Sequence, residues 1–361
     1  MFFRKIYCGC VFLLSSLNLF SQGLSAYSDY KNYFYVFDDG VSKQLEYLPV
    51  QWYKIGGNAV VYLDNSSTLR AYYKGEKYIL SEMQPTACYA TDNMIVYFSA
   101  TALKIFDKGN ITLLSSWATD CIIGDSMVGC VDQNTHAYKI YYNGQEHYLP
   151  DLLDYNSIKS FCMGDNILAY KNTGEYLKIY YRNQIINTEV YQPSQYKASA
   201  NTVAFVNEST QEFSVFYKGS ISVLEKQPPN SFSVGDDMVA YVDNNQNFKV
   251  FYNGETFELG SFSPQFYNAE DNILVYADNV NFNVFFKGKT YTLEKNIPKE
   301  YKIDLSTLVY KDTQGFLNVF FEGKTGRASN EIISTYQLSA TTLKFSNSMN
   351  ESHFFVNGKT Y

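Results

Sequence analysis

The sequence predicts an all-β protein: a β-propeller of about nine short four-stranded blades, within a range of eight to ten, with an open β-solenoid as the alternative. Three observations carry this expectation. A strand followed by a turn glycine recurs at a nearly constant step along the chain. Tyr and Phe, 34 and 27 of the 361 residues, supply almost all of a 17% aromatic content, and both favour strands. No helical period appears after the first twenty or so residues.

The repeat is anchored where a strand runs into a tight turn, first at residues 34–40 (Phe-Tyr-Val-Phe-Asp-Asp-Gly) and next at 69–75. The turn position falls at 40, 75, 109, 144, 183, 219, 254, 288, 323 and 358, in steps of 34 to 36 residues apart from one step of 39. Chance does not hold register over a whole chain. Every anchor is Gly except Asn183, and Gly and Asn are the residues that best tolerate positive φ. Asn143-Gly144, Asn253-Gly254 and Asn357-Gly358 are the pairs of a type I′ hairpin. A second apolar strand ends at a turn-prone Asp shortly before each anchor, as at 60–64 (Val-Val-Tyr-Leu-Asp) and 239–243 (Val-Ala-Tyr-Val-Asp). Another turn precedes that strand, as at Gly56-Gly57-Asn58, Thr91-Asp92-Asn93, Gly164-Asp165-Asn166 and Gly235-Asp236-Asp237. A last strand follows the anchor, as at 77–80. One repeat is therefore four short antiparallel strands in about 35 residues.

The ends predict how the ring closes. The first unit, 33–48, reads as the last two strands of a repeat, and the final unit, 332–361, as the first three. Strand 42–48 is expected to complete the final blade, leaving eight full blades between about 51 and 328 plus one shared blade. The paired aromatics at fixed repeat positions, Tyr72-Tyr73, Tyr141-Tyr142, Tyr180-Tyr181, Phe251-Tyr252 and Phe320-Phe321, send one ring to each face of a blade and read as core.

Residues 1–22 read as a secretory signal peptide: Arg4 and Lys5, then an apolar run from Ile6 to Phe20, then Ser21-Gln22-Gly23 as a cleavage zone. Residues 23–361 form one repeat domain. Cys8 and Cys10 lie before the apolar run ends, so no lipid anchor is expected. Loss of Arg4 and Lys5 takes the formal charge from −7 to −9, which removes any electrostatic attraction to nucleic acid or an anionic membrane surface. No later segment approaches the ~20 apolar residues of a membrane-spanning helix.

The Val-Phe-Tyr-Asn-Gly pattern at 250–254 and Val-Ala-Tyr-Val-Asp at 239–243 resemble those of bacterial secreted β-propeller repeat proteins. The resemblance covers nearly all of the mature chain and implies a fold, not an activity. The signal ending in Ser21-Gln22 is similar to those of bacteria that use type IX secretion. This implies a periplasmic or outer-membrane-associated protein, or an extracellular one, with an accessory or plug subunit of an outer-membrane translocon as one specific reading.

Chemistry is sparse. The three histidines, His136, His147 and His353, fall at different strand positions of the repeat, and none pairs at metal-ligand spacing. Asp64 and Asp243 open Asp/Asn-rich turns that lack the spacing of a calcium loop and read as turn residues. Asp92, Asp125, Asp165, Asp236 and Asp271 follow the repeat and read as structural. No nucleophile elbow or phosphate loop occurs. Carboxylates gathered from distant blades at a central channel are the one catalytic arrangement that a single sequence leaves open. No cofactor or metal is expected, and the chain reads as a non-enzymatic scaffold for a protein partner. A glycan-binding or glycan-processing propeller is the alternative.

Candidate contact residues are the aromatics outside the pattern, Trp52, Trp117, Tyr155, Tyr191 and Tyr196. Asp151 and Asp154 join them because the 39-residue step places extra residues at 150–157. Of the four cysteines in the mature chain, Cys121 and Cys130 flank a turn and could face each other as a disulfide. The favoured reading is four small buried thiols. Thiol titration of the denatured, unreduced mature protein should count four; a count of two means the pair is bridged.

Overall fold

The computed structural model describes residues 23–150, 161–333, 335–347, 349 and 351–361. The expected signal peptide, together with Asp151, Asp154 and Tyr155, lies outside these residues.

The described chain forms ten antiparallel sheets, each with its strands paired in chain order. Nine sheets have four strands, here called a to d. In the second blade these are Trp52–Ile55, Ala59–Leu63, Leu69–Tyr73 and Glu76–Ser81. The c–d turns are the predicted hairpins, with both central residues at positive φ: Lys74 at 48° and Gly75 at 90°, Asn143 at 49° and Gly144 at 79°. Arg182 and Asn183 adopt the same turn at 49° and 64°, so Asn183 does stand in for glycine at a left-handed position.

The a strands of successive blades contact one another and are laced around a common axis. Lys54 Nζ donates to the Cys88 carbonyl at 2.7 Å, and Lys197 Nζ donates to the Phe232 carbonyl at 2.7 Å. The a strands are therefore innermost and the d strands form the rim. The a–b turns and c–d hairpins share one face of the ring, the hairpin face. The b–c turns and d–a connectors share the other, the connector face.

The middle strands have both sides buried, and Ala59–Leu63, Met238–Val242 and Ile273–Ala277 are buried at every residue. Ten apolar clusters result, each shared by two neighbouring blades. Tyr72 packs toward the first blade and Tyr73 toward the third, as alternation along a strand requires. Edge-on aromatic pairs such as Tyr73–Phe106 at 5.8 Å and Phe286–Phe320 at 5.6 Å recur between blades. The tenth cluster, between the last blade and the first, closes the ring, so the solenoid alternative is not supported.

Two expectations need correction. The ring has ten blades rather than about nine, and no blade is shared between the chain ends. The first blade has three strands, because Leu24–Ser28 pairs with Phe34–Asp38, which pairs with Val41–Glu46. Strand Leu24–Ser28 follows closely on the apolar sequence run from Ile6 to Phe20, so sequence patterning did not separate it. The last blade supplies its own outer strand, the two residues Lys359–Thr360. Among the described residues the first blade has no inner strand, so nine a strands line the channel inside ten blades. Ser339 Oγ donates to the Ile55 carbonyl at 3.2 Å, joining the inner strands of the tenth and second blades across that gap. Lys344 Nζ donates to the Ala26 carbonyl at 2.9 Å, capping part of the edge that an inner strand would have paired.

The closing seam is the smallest of the ten cores, with Phe37, Phe354 and Val356 as its buried members and Tyr27 packed against them. Phe37 and Phe354 stack at 4.1 Å. Phe354→Ala should cost about 3 kcal/mol or more in denaturant unfolding. It should also accelerate hydrogen exchange first in the first and tenth blades. A uniform rise in exchange around the ring would show that closure does not depend on this stack.

Candidate functional site

The a–b turns bring one residue of each inner strand to the channel mouth on the hairpin face. Close approach sets the local sequence there: a Cβ on Gly56 would run into the Thr91 carbonyl, and one on Gly164 into the Ser199 backbone. The mouth opens into a cavity of about 340 Å3 lined by the second, third, fourth, eighth, ninth and tenth blades. Its wall includes Thr91, Asp92, Asp125, Asp271, Asp304 and Gln337, with no aromatic ring.

Several carboxylates act as staples between blades. Asp125 Oδ1 accepts the Asp92 N–H at 3.1 Å. Asp236 Oδ1 accepts the Ser199 hydroxyl at 2.7 Å and the Ala200 N–H at 3.0 Å. Asp271 Oδ2 accepts the Leu305 N–H at 2.6 Å, and Asp304 Oδ2 the Ala340 N–H at 2.7 Å. An amide ladder runs alongside: Asn58 to the Asn93 carbonyl at 3.0 Å, Asn93 to Ser126 Oγ at 2.8 Å, Asn166 to Asn201 Oδ1 at 2.8 Å.

Burial and mutual repulsion disfavour the ionised forms. Burial first, then the charges of Asp304 and Asp125, push Asp92 up to about 8. Burial and Asp236 push Asp165 up to about 8. Burial and Asp236 take Asp271 to about 7 against the opposing Leu305 N–H. Burial raises Asp304 to about 7 despite its Ala340 N–H. Asp236 is raised by burial as well. The recurring Asp residues are thus structural, as the sequence suggested, but they also converge, which spacing along the chain does not reveal. Asp304 was missed because its turn, Asp304-Leu305-Ser306, departs from the Gly-Asp-Asn pattern.

The b–c turns differ. Asp243 Oδ1 accepts the N–H groups of Asn245 and Asn247, both at 2.8 Å, and Lys249 Nζ lies 2.9 Å from Oδ2. Burial opposes the charge, but Lys249 and the backbone donors outweigh it and hold Asp243 at about 2. Asp64 and Asp312 are bound in the same way. Backbone N–H donors thus hold these carboxylates within their own turns, the role the turn reading gives them. Among the described residues no group of three His, Cys, Asp or Glu is placed to hold a metal.

Of the aromatic contact candidates, Trp117 is 52% exposed at the entrance to the fourth blade, and Tyr191 is 45% exposed at the end of the fifth. Both lie on the connector face, where Tyr191 packs on Tyr176 at 5.3 Å. Trp52 and Tyr196 instead pack against inter-blade cores, because each sits on an inner strand whose side chain turns toward the next blade. The four cysteines among the described residues are free thiols. Cys121 and Cys130 are neighbours on paired strands beside a bulge, as the sequence placed them, but unbonded. Hydrogen bonding with Cys121, then burial, pushes the Cys130 thiol well up. Burial pushes Cys88 up to about 12.

Asp92, Asp165, Asp271 and Asp304 have folded pKa values above their unfolded ones, so the folded state binds protons more tightly. Their contribution to stability is full below about pH 4 and is lost as pH rises through 7 to 8. Asp132 and Asp243, held at about 2, act oppositely and lose their contribution as pH falls below about 4. Between pH 5.5 and 8.5 stability should therefore fall, by up to about 1.4 kcal/mol per pH unit for each raised group, and the melting temperature with it. Asp92→Asn with Asp165→Asn should flatten that slope. An unchanged slope would place the titration elsewhere.

No curated protein matches the sequence. Among solved structures, PorZ, a surface component of the type IX secretion system of Porphyromonas gingivalis, is 10% identical with a TM-score of 0.31; the match covers 85% of this chain and 51% of that one, so this chain spans about half its length. The CRINKLY WD40 ectodomain of the Arabidopsis thaliana receptor kinase ACR4 is 10% identical with a TM-score of 0.34, covering 76% and 95%. The tricorn protease is 14% identical with a TM-score of 0.33, covering 91% and 45%. A family model described as a 10-bladed beta propeller domain matches residues 18–361. Ten sheets, ten inter-blade cores and that match agree: this chain belongs to the ten-bladed β-propeller domain family.

Proposed function

We propose that the protein is an exported, non-catalytic scaffold in the periplasm or at the outer membrane, which receives a basic segment of a protein partner at the acidic mouth of its channel. The observation that carries this reading is the convergence of Asp92, Asp125, Asp271 and Asp304, from four blades, on one small cavity. Of these, Asp92, Asp271 and Asp304 resist ionisation mainly because of burial, with neighbouring carboxylates adding to it. A lysine or arginine side chain entering the mouth relieves the repulsion and restores the ionised forms. A ring of rigid blades holds the carboxylates in place without a partner, so little ordering opposes binding.

A glycan-directed propeller would need a stacking surface beside its acids, and the cavity wall has no aromatic ring. A translocon-subunit role has no feature of its own in the ring beyond those of a scaffold.

The test is affinity purification of the tagged protein from envelope fractions in gentle detergent, with N-terminal sequencing of the recovered chain. The expected result is a chain starting near Gly23 that brings down a partner. Retention should fall at least tenfold in Asp92→Asn/Asp304→Asn and weaken with salt. Recovery of the protein alone, or with Met1 intact in the cytosol, would overturn the reading.

A further inference from the structure

The outer strand of every blade is the last in its sheet, so its outward N–H and C=O groups have no strand partner. Natural proteins guard such edges with charges. The rim guards only part of its circumference. In the seventh, eighth and ninth blades the solvent-facing second and fourth positions of the d strand are Thr256 and Glu258, Thr290 and Thr292, and Thr325 and Arg327. Lys289 and Lys324 open two of these strands.

In the second to sixth blades at least one of the two equivalent positions is apolar and exposed: Ile79 in the second, Ile111 and Leu113 in the third, Tyr148 in the fourth, Ile185 in the fifth, Ile221 and Val223 in the sixth, with Lys77, Glu146 and Asn187 at the remaining ones. The fold does not require this, because the same positions are polar and exposed in the other blades. Two edges have no charge at all along their exposed length. Asn110–Ser115 in the third blade carries none, with Ile111 at 47% and Leu113 at 51% exposed. Residues 220–224 in the sixth blade carry none, with Ile221 at 44% and Val223 at 51% exposed. The charges that flank the second edge are engaged within the ring: Lys218 with Asp237 at 3.2 Å, and Glu225 with Lys249 at 2.7 Å.

From these edges we infer that the rims of the third and sixth blades are docking sites for an extended, uncharged β-strand of a protein partner, added edge-on. The open backbone groups specify a strand. The alternation of exposed apolar and small polar side chains specifies a matching alternation in the incoming segment. Charge matching specifies its neutrality: in a chain of formal charge −7, these two outer strands alone among the described ones carry no charged side chain along their exposed length, so an incoming strand meets neither a partner nor a repulsion from the strand it pairs with. This inference rests on the scaffold reading and assigns it a second surface, away from the channel mouth.

The test uses the mature protein and an end-blocked peptide of sequence Asn-Ile-Thr-Leu-Leu-Ser, with a control in which Lys replaces Ile and the first Leu. Hydrogen exchange with saturating peptide should protect the amides of Asn110–Ser115 and of residues 220–224. Affinity should drop at least tenfold in Ile111→Lys/Leu113→Lys combined with Ile221→Lys/Val223→Lys. It should hold in Thr290→Lys/Thr292→Lys, and all variants should melt with the wild type because the positions are exposed. No protection at millimolar peptide, equal binding to the rim variant, or equal binding of the control peptide would overturn the inference. A wild-type dimer that the rim variant converts to monomer would also overturn it, making the edge a self-interface. Partner capture through Asp92 and Asp304 is independent of these outcomes, so failure at the rim and failure at the mouth are told apart.

Discussion

Burial of both sides of the middle strands is the constraint on which everything else in this ring depends. A single four-stranded sheet of about 35 residues cannot cover two apolar faces, so strands such as Ala59–Leu63 and Ile273–Ala277 are stable only when flanked by neighbours. Each blade therefore finishes the core of the next, and ten shared clusters follow. Tyr and Phe suit this role because one wide ring spans the gap between sheets and packs edge-on against its counterpart, as Tyr73 does on Phe106. The chain of dependencies has to end somewhere. It ends by meeting itself at Phe37 and Phe354, where a thin apolar contact is reinforced by Ser339 reaching Ile55 and Lys344 reaching Ala26.

Ring closure also creates the channel mouth. Inner strands that converge on an axis bring their turns within hydrogen-bonding reach, and each turn has N–H groups to satisfy. Aspartates accept those donors from the adjacent blade, as Asp236 does for Ala200 and Asp271 for Leu305. The same placement aims their charges at one small volume. Stapling and repulsion thus arise from the same residues, and the mouth is held together by groups that would each be more easily ionised alone. A cationic group from outside resolves that conflict. The b–c turns show the contrast: Asp243 accepts the same kind of backbone donors but has Lys249 beside it, and its charge is stabilised.

The repeat was legible because its markers are local. Asn143-Gly144 or Gly75 imposes a left-handed turn from within two residues, and alternation along Leu69–Tyr73 shows a strand with two buried sides. The blade count was less legible, because Leu24–Ser28 lies close behind the apolar sequence run from Ile6 to Phe20 and the last outer strand is only Lys359–Thr360. Trp52 and Tyr196 looked like surface residues because they stand outside the aromatic pattern, yet an inner strand can turn such a ring into the neighbouring core. Trp117 and Tyr191 do lie at the surface, on the connector face.

The sequence by itself determined the all-β repeat, its four-strand unit, its hairpin chemistry and the aromatic makeup of its core, since each depends on residues close together in the chain. Tertiary structure alone decided that there are ten blades, with nine inner strands among the described residues, that Asp92 and Asp304 share a cavity, and that the unguarded rim edges fall on one half of the circumference. These are relations between blades separated by tens to hundreds of residues. They exist only once the ring closes and sets the angle at which each sheet faces the axis.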